Sequence, residues 1–126
     1  MPHPSEHTSA NEPLELDEAE RLATAMTAFA APSRLRLLFA LLDGERSVEQ
    51  LAERAGLGPT VASQQLRVLR QLYAVTVRRD GRHAYYRLFD HHMADLLTAI
   101  RHHGEHRAPR AVPELPDLQA APAPRP

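Results

Sequence analysis

Residues 47–72 read SVEQLAERAGLGPTVASQQLRVLRQL, and this stretch decides the fold. Ser47 followed three positions later by Gln50 is a capping box, which predicts the start of a short helix that Gly56 ends in a left-handed conformation. Pro59 suits the first position of a second helix, predicted to run to the end of the stretch. Two helices joined by a short Gly-Leu-Gly segment are typical of a helix-turn-helix.

Two strand-like runs follow this helix pair, at residues 75–79 and 82–88. The Asp80-Gly81 dipeptide between them is a strong hairpin signal. A hairpin directly after the second helix of the pair is the wing of a winged helix. This arrangement places the helix that begins at Pro59 in a major groove of DNA, N-terminal end first.

Two helices are predicted upstream of the pair. Asp17 with Glu20 forms a capping-box-like start, and apolar residues at helical spacing extend the first helix to about Ala31. Pro32 ends it, and a second, Leu-rich helix covers about residues 33–42. The predicted fold is therefore mainly α with a two-stranded β-hairpin, a winged helix-turn-helix in the order α-α-α-α-β-β-α.

Composition predicts the domain organisation. The 126-residue chain suits one small domain. Residues 1–13 are polar with several prolines, and residues 107–126 are rich in Pro and Ala, so both are predicted to be disordered tails around a domain at residues 14–106. No apolar run approaches the ~18 residues of a membrane span and no basic-then-apolar leader begins the chain, so a cytoplasmic protein is expected.

The distribution of charge indicates a DNA-binding face. The net charge is −1, yet residues 59–89 carry six arginines against the single acid Asp80. A basic stripe in a near-neutral protein is typical of a nucleic-acid contact surface. Gln pairs with adenine, Ser and Thr bond to bases or phosphates, and Arg neutralises phosphates. The candidate DNA-binding residues are Thr60, Ser63, Gln64 and Gln65 near the helix N-terminus, Arg67 and Arg70 on its outer side, and Arg78, Arg79 and Arg82 at the wing tip.

A histidine-rich segment, DHHMADLLTAIRHHGEH at residues 90–106, follows the wing and holds five of the eight histidines. It has neither Gly nor Pro before Gly104 and is predicted to be one helix capped by Asp90. His92 and His103 would share nearly the same face but lie about 16 Å apart along the axis. Because metal–nitrogen bonds are only ~2.0–2.1 Å long, the two can hold one ion only if two copies of the helix run antiparallel.

The spacing therefore predicts two equivalent metal sites in a two-fold dimer. The predicted ligands are Asp90 and His92 of one chain with His103 and His106 of the other. The absence of Cys leaves His and carboxylate ligands, which favour borderline ions such as Zn, Ni or Co. A solvated, His-rich helix end is the alternative, and Gly104 could end the helix before His106. His91 and His102 are adjacent alternative ligands, but they point ~100° away from the shared face.

Residues 30–88 resemble the winged-helix repressors of the ArsR/SmtB family. The likeness is carried by APSRLRLL at 31–38, LAE at 51–53, VASQQLRVLR at 61–70 and the wing at 79–88. The resemblance implies a homodimer built on the first and last helices, and a bound metal that lowers operator affinity in most members. It also implies an inter-subunit metal site on the last helix, at the four positions already found from helix geometry.

The family's alternative site, cysteines in the third helix, is impossible here because residues 46–49 are Arg-Ser-Val-Glu. Thiolate sensing of arsenic, antimony or cadmium is thereby disfavoured. The chain is most similar to a nickel/cobalt-sensing subgroup with a His at position three and an Asp-His-His-His last helix. That resemblance implies Ni(II) as the favoured metal, with Co(II) or Zn(II) as alternatives, and His3 as a further ligand. Incidental histidines in a floppy tail, His3 and His7, are the alternative.

Tyr73 departs from the family, which usually has Gly after the recognition helix. A left-handed Tyr costs about 1 kcal/mol or more, so either the helix ends differently here or the position is strained.

Two other functions stay open. A winged-helix regulator with unused histidines would take its signal from another ligand or from a protein partner, for which the Pro-rich tail is a candidate contact. A metal hydrolase needs an open metal position in a cleft with a general base nearby, and a surface helix offers no evident cleft. The chain is therefore predicted not to be an enzyme, and its predicted partners are double-stranded operator DNA and a second copy of itself.

Overall fold

The computed structural model describes residues 11–106. Its elements are α1 Leu16–Met26, α2 Pro32–Ala40, β1 Arg46–Ser47, α3 Val48–Ala55, α4 Pro59–Gln71, β2 Val75–Asp80, β3 His83–Leu88 and α5 His91–His106, with a 3₁₀ turn Thr27–Phe29 after α1. This order confirms the predicted winged helix-turn-helix. Most of the predicted tails, residues 1–10 and 107–126, lies outside the described residues.

The first helix is shorter than predicted. It follows Glu15 and ends at Met26, and the expected capping box is absent because Asp17 lies inside the helix. The Asp17 carboxylate instead accepts hydrogen bonds from the Glu18 amide and the Arg21 guanidinium. The predicted extension to Ala31 is also wrong, because the chain tightens into the 3₁₀ turn directly after Met26.

Pro32 begins the second helix rather than merely ending the first. The residue before it, Ala31, is extended at φ −145° and ψ 137°, as the proline ring requires of its predecessor. Pro32 then takes the first helical position, where its missing N–H costs nothing. The helix closes at Ala40, two residues before its predicted end, and the chain turns there towards β1.

The helix-turn-helix follows its local signals. Ser47 Oγ accepts from the Gln50 amide at 3.1 Å, and Gln50 Oε1 accepts from the Ser47 amide at 2.9 Å, which confirms the capping box. Gly56 ends α3 in a left-handed conformation at φ 68°. Pro59 opens α4 as predicted. The turn between the helices is therefore set by residues that lie within it.

The wing is a three-stranded antiparallel sheet in the order β1-β3-β2 rather than a two-stranded hairpin. The additional strand β1 pairs with β3 through Arg46↔Tyr86 and Ser47↔Tyr85. Its two residues are too few to show an alternating pattern, so this strand could not be predicted from the sequence. The hairpin turn lies one residue later than predicted, because Asp80 pairs with His83 and leaves Gly81 and Arg82 as the loop.

Tyr73 adopts the strained conformation, with φ at 58°. The chain closes α4 there through bonds from the Tyr73 amide to the Arg70 carbonyl and from the Ala74 amide to the Leu69 carbonyl. The Tyr73 ring is exposed and meets Phe89 edge-on, at 6.2 Å between ring centroids. Of the two alternatives that the sequence left open at this position, the strained one is correct.

The core is built from leucines of α2 to α5. Its fully buried members include Leu37, Leu38, Leu51, Leu66, Leu69 and Leu97. Helix α1 contributes no buried residue, although it carries a strongly apolar face. Leu97 is the one fully buried residue among positions 91–105 of α5, while Leu96 beside it stays exposed. A single chain therefore anchors its first and last helices weakly. None of the helices in residues 11–106 is long and apolar enough to cross a membrane.

Candidate DNA-binding surface and metal site

Helix α4 presents a polar face opposite its buried leucines. Ala62, Leu66 and Leu69 are fully buried and fix the helix against the core. The candidate DNA-binding residues Thr60, Ser63, Gln64, Arg67 and Arg70 are all exposed. None of the five has a side-chain partner within residues 11–106, so their polar groups are available to bases and phosphates.

Val61 was not among the residues selected from the sequence, yet it lies exposed in the first turn of α4. An apolar side chain at that end of a recognition helix suits contact with a thymine methyl group. The available signal was the helical spacing of Ala62, Leu66 and Leu69, which predicts a buried face and sets the preceding Val61 about 100° to its side.

Gln65 differs from its exposed neighbours. It is half-buried, and its Oε1 accepts a hydrogen bond from Nη1 of the buried Arg34 at 3.1 Å. A bidentate contact to adenine requires the amide oxygen and nitrogen of one Gln to face the base together. Because Arg34 occupies the Gln65 amide oxygen, Gln65 does not offer both groups to a base while that bond is intact. The sequence did not reveal this intramolecular partner.

The three wing arginines are not equivalent. Arg78 donates to both carboxylate oxygens of Glu45, at 2.7 and 3.3 Å, and lies 4.7 Å from the centre of the Tyr85 ring. The hydrogen bond from Arg78 lowers the pKa of the Glu45 carboxyl. By contrast, the side chains of Arg79 and Arg82 are exposed and make no hydrogen bond or ion pair with the described residues.

We expect Arg82→Ala to weaken DNA binding. The slope of log affinity against log salt concentration is negative, and its magnitude should fall by about 1, the share of one phosphate contact. Arg78→Ala is the matched control, because its guanidinium is already neutralised by Glu45. Its slope should stay close to that of the unmodified protein. Fluorescence anisotropy with a labelled duplex at several salt concentrations measures both, and equal slopes for the two variants would contradict this assignment.

The first two candidate metal ligands meet at the N-terminal end of α5. Nδ1 of His92 lies 3.4 Å from Oδ2 of Asp90, while Oδ1 of Asp90 caps the helix by accepting from the Met93 amide at 3.2 Å. Two donors bound to one ion at ~2.1 Å with a tetrahedral angle lie about 3.4 Å apart. The spacing of this pair therefore fits two ligands of one metal ion.

The charge state of Asp90 also fits a ligand. Partial desolvation raises the pKa of the Asp90 carboxyl, but hydrogen bonds from the His92 side chain and the Met93 amide outweigh it. The net pKa is therefore below the ordinary value for Asp, and the carboxylate is ionised at neutral pH. A metal ligand has to be deprotonated, so no proton needs to be displaced from Asp90.

The other two candidate ligands lie at the opposite end of the same helix. Gly104 does not end α5 early, and the helix continues to His106, the last described residue. His103 is exposed, and about 16 Å of helix separates it from His92. Within residues 11–106 of one chain, no three His, Asp or Glu residues come together as a metal site. His3 lies outside the described residues.

The alternative ligand His91 stacks its ring on that of His92, with 4.1 Å between ring centroids. The other alternative, His102, is exposed next to His103. For His91, no described carboxylate is arranged beside the ring as Asp90 is beside that of His92. The Asp90–His92 pair is the half of the predicted site whose donor atoms lie at ligand spacing in the described residues.

Comparison with known proteins identifies the family of this chain. The model of the bacterial regulatory protein arsR family matches residues 31–72. The transcriptional regulator NmtR of Mycobacterium tuberculosis is 43% identical over 94 residues, which cover 75% of this chain and 78% of NmtR. The chain belongs to the arsR family. A Synechocystis homologue of the transcriptional repressor SmtB is 40% identical over 92 residues, 73% of this chain and 70% of the homologue.

Solved structures agree with this family assignment. The homodimeric winged helix-turn-helix DNA-binding domain from Mycobacterium bovis, solved by NMR, superposes with a TM-score of 0.67 at 26% identity, over 83% of this chain and 99% of that one. The antimony-specific repressor AntR superposes with a TM-score of 0.70 at 28% identity, over 79% and 91%. The arsR-family chain described here is therefore a winged-helix DNA-binding transcriptional regulator and not an enzyme.

Proposed function

We propose that this regulator is a homodimeric repressor whose affinity for operator DNA is set by Ni(II), or by Co(II) or Zn(II), bound between the last helices of two chains. Asp90 and His92 of one chain and His103 and His106 of the other would hold the ion. The observation that carries the proposal is the Asp90–His92 pair, whose donor atoms lie at ligand spacing at one end of α5. The remaining ligands lie at the other end of that helix.

Exposed apolar surface supports the dimer. Leu22 and Met26 on α1 are 47% and 50% exposed, and Leu96 on α5 is 43% exposed. Large apolar side chains grouped on one helix face are typical of a protein–protein contact. A two-fold pairing that covers α1 and α5 would bury them and run two copies of α5 antiparallel. The Mycobacterium bovis domain with the same fold is homodimeric, which supports a dimer of this chain.

The ligand chemistry supports a borderline metal. Imidazole and carboxylate ligands suit nickel, cobalt and zinc, and the chain has no Cys to favour a thiophilic ion. Four ligands satisfy tetrahedral zinc, whereas nickel often takes more. His3, with the N-terminal segment around it, would supply further donors to nickel. This is the reason for ranking nickel before zinc.

The regulatory mechanism follows from the position of the ligands. The metal would tie the N-terminal end of one α5 to the C-terminal end of the other, and so restrict how the two chains are arranged. Only some arrangements place both α4 helices in successive major grooves. Metal and DNA affinities are then coupled reciprocally, typically by about 1–3 kcal/mol. A regulator that binds operator DNA acts where the chromosome lies, so the proposal includes a cytoplasmic location.

Operator binding with and without metal tests this function. A duplex selected from a random pool by the purified protein would be titrated in chelator, in nickel and in zinc. We expect metal to weaken binding about 5- to 150-fold. An unchanged affinity in all three conditions would reject metal control and favour a signal from another ligand or from a protein partner, for which residues 107–126 are the candidate contact.

Deleting residues 2–7 should weaken nickel binding more than zinc binding, because only nickel would draw ligands from His3 and its neighbours. Calorimetric titration of the deletion variant and the full chain with each metal measures this. Equal losses for the two metals, or no loss, would remove the N-terminal segment from the site.

A further inference from the structure

Arg34 on α2 is the one charged side chain that is buried in the described part of the chain, at 5% exposure. No acidic side chain within residues 11–106 pairs with it. Its Nε and Nη2 donate to the Thr27 carbonyl at 3.2 and 2.7 Å, and its Nη1 donates to Gln65 Oε1 at 3.1 Å. A buried charge is costly unless it is hydrogen-bonded, so these bonds hold the guanidinium inside the domain.

The partners of Arg34 belong to two different parts of the molecule. Thr27 directly follows α1 and begins the 3₁₀ turn, while Gln65 lies in the second turn of α4. A guanidinium is a rigid planar fork, so it fixes the direction between its partners as well as their distance. Arg34 therefore links the end of the proposed dimerisation helix to the recognition helix.

The hydrogen bond to Arg34 also gives Gln65 a different environment from that of the adjacent Gln64. Gln64 is exposed without a described partner, whereas Gln65 is half-buried with its amide oxygen held by Arg34. Turning that amide towards a base would leave a buried guanidinium donor unpaired, which is costly. The two adjacent glutamines are thus suited to different tasks.

We propose that the hydrogen-bonded pair of Arg34 and Gln65 positions α4 relative to the end of α1, so that Gln65 supports operator binding without contacting a base. The inference rests on the operator binding described above. It also gives a route by which a change in the packing of α1 in the dimer would alter the orientation of α4. Arg34 and Gln65 are positioning residues in this scheme.

The test compares Gln65→Leu with the matched control Gln64→Leu on the selected duplex and on all its single-base-pair variants. If Gln65 only positions α4, Gln65→Leu should lower affinity for every duplex by the same factor, about tenfold for one hydrogen bond to a charged group. Gln64→Leu should instead lose discrimination at one or two base pairs. The double variant Arg34→Met with Gln65→Leu should bind operator DNA as tightly as the weaker-binding of the two single variants. Both substitutions remove the same hydrogen bond, so their losses should not add.

A loss of discrimination at a single base pair in Gln65→Leu would overturn the proposal, because it would make Gln65 a base-reading residue. Losses that multiply in the double variant would overturn it as well. If Arg34→Met does not fold, as urea unfolding would show, the base-pair profile of Gln65→Leu decides alone. All these measurements are made in chelator, so a regulator that failed to respond to metal would reject metal control and leave this test intact.

Discussion

Replacing His103 with Ala is expected to lower nickel affinity at least about 100-fold and to abolish the effect of metal on operator binding. Loss of a residue that merely supports a ligand typically costs 10–100-fold, so loss of a ligand itself should cost no less. Operator affinity in chelator should be unchanged, because the His103 side chain is exposed on α5 and makes no hydrogen bond or ion pair with the described residues. Calorimetry with nickel and anisotropy with the selected duplex measure the two effects.

His102→Ala is the matched control, since it removes an imidazole from the adjacent position of the same helix. It points ~100° away from the shared face and should keep nickel affinity within a few-fold of the unmodified protein. Equal losses in the two variants would indicate diffuse binding to a histidine-rich helix. A loss of operator binding in chelator by His103→Ala would instead make the histidine structural.

Leu22→Glu is expected to dissociate the dimer and, with it, to remove both tight operator binding and tight nickel binding. Two-fold symmetry would bring two copies of the new carboxylate into one apolar interface, each desolvated without a partner. We expect the dimer dissociation constant to rise at least about 100-fold, equivalent to about 3 kcal/mol. Sedimentation equilibrium over a range of protein concentrations measures it.

Leu42→Glu provides the control for the added charge. Leu42 is an exposed leucine outside α1 and α5, so the same substitution there should leave the dimer intact. A Leu22→Glu protein that stays dimeric would place the interface elsewhere. A monomer that binds nickel as tightly as the unmodified protein would show that one chain completes the site, contrary to the helix geometry.

Much of the fold was predictable because its signals are local. The capping box at Ser47, the left-handed Gly56 and the proline that opens α4 each act on backbone groups within a few residues of themselves. The cap at Asp90 has the same origin. Such interactions are encoded in neighbouring residues, and hence a sequence pattern indicates them directly.

The limits of the first helix were not predictable in the same way. Apolar residues continue at helical spacing past Met26, but the backbone tightens there and the Thr27 carbonyl accepts from Arg34 of the next helix. Strand β1 likewise exists because β3 is there to pair with it. In both places the decisive partner belongs to another element.

For the candidate site, the sequence by itself predicted the ligand positions on α5 and the need for a second chain, because helical rise and metal bond lengths are fixed quantities. Tertiary structure alone decided which polar side chains of the DNA-binding surface are free. Arg34 holds Gln65 across 31 positions, and Glu45 holds Arg78 across 33. Pairs so far apart in the chain meet only after the core has packed, and no periodic pattern records them.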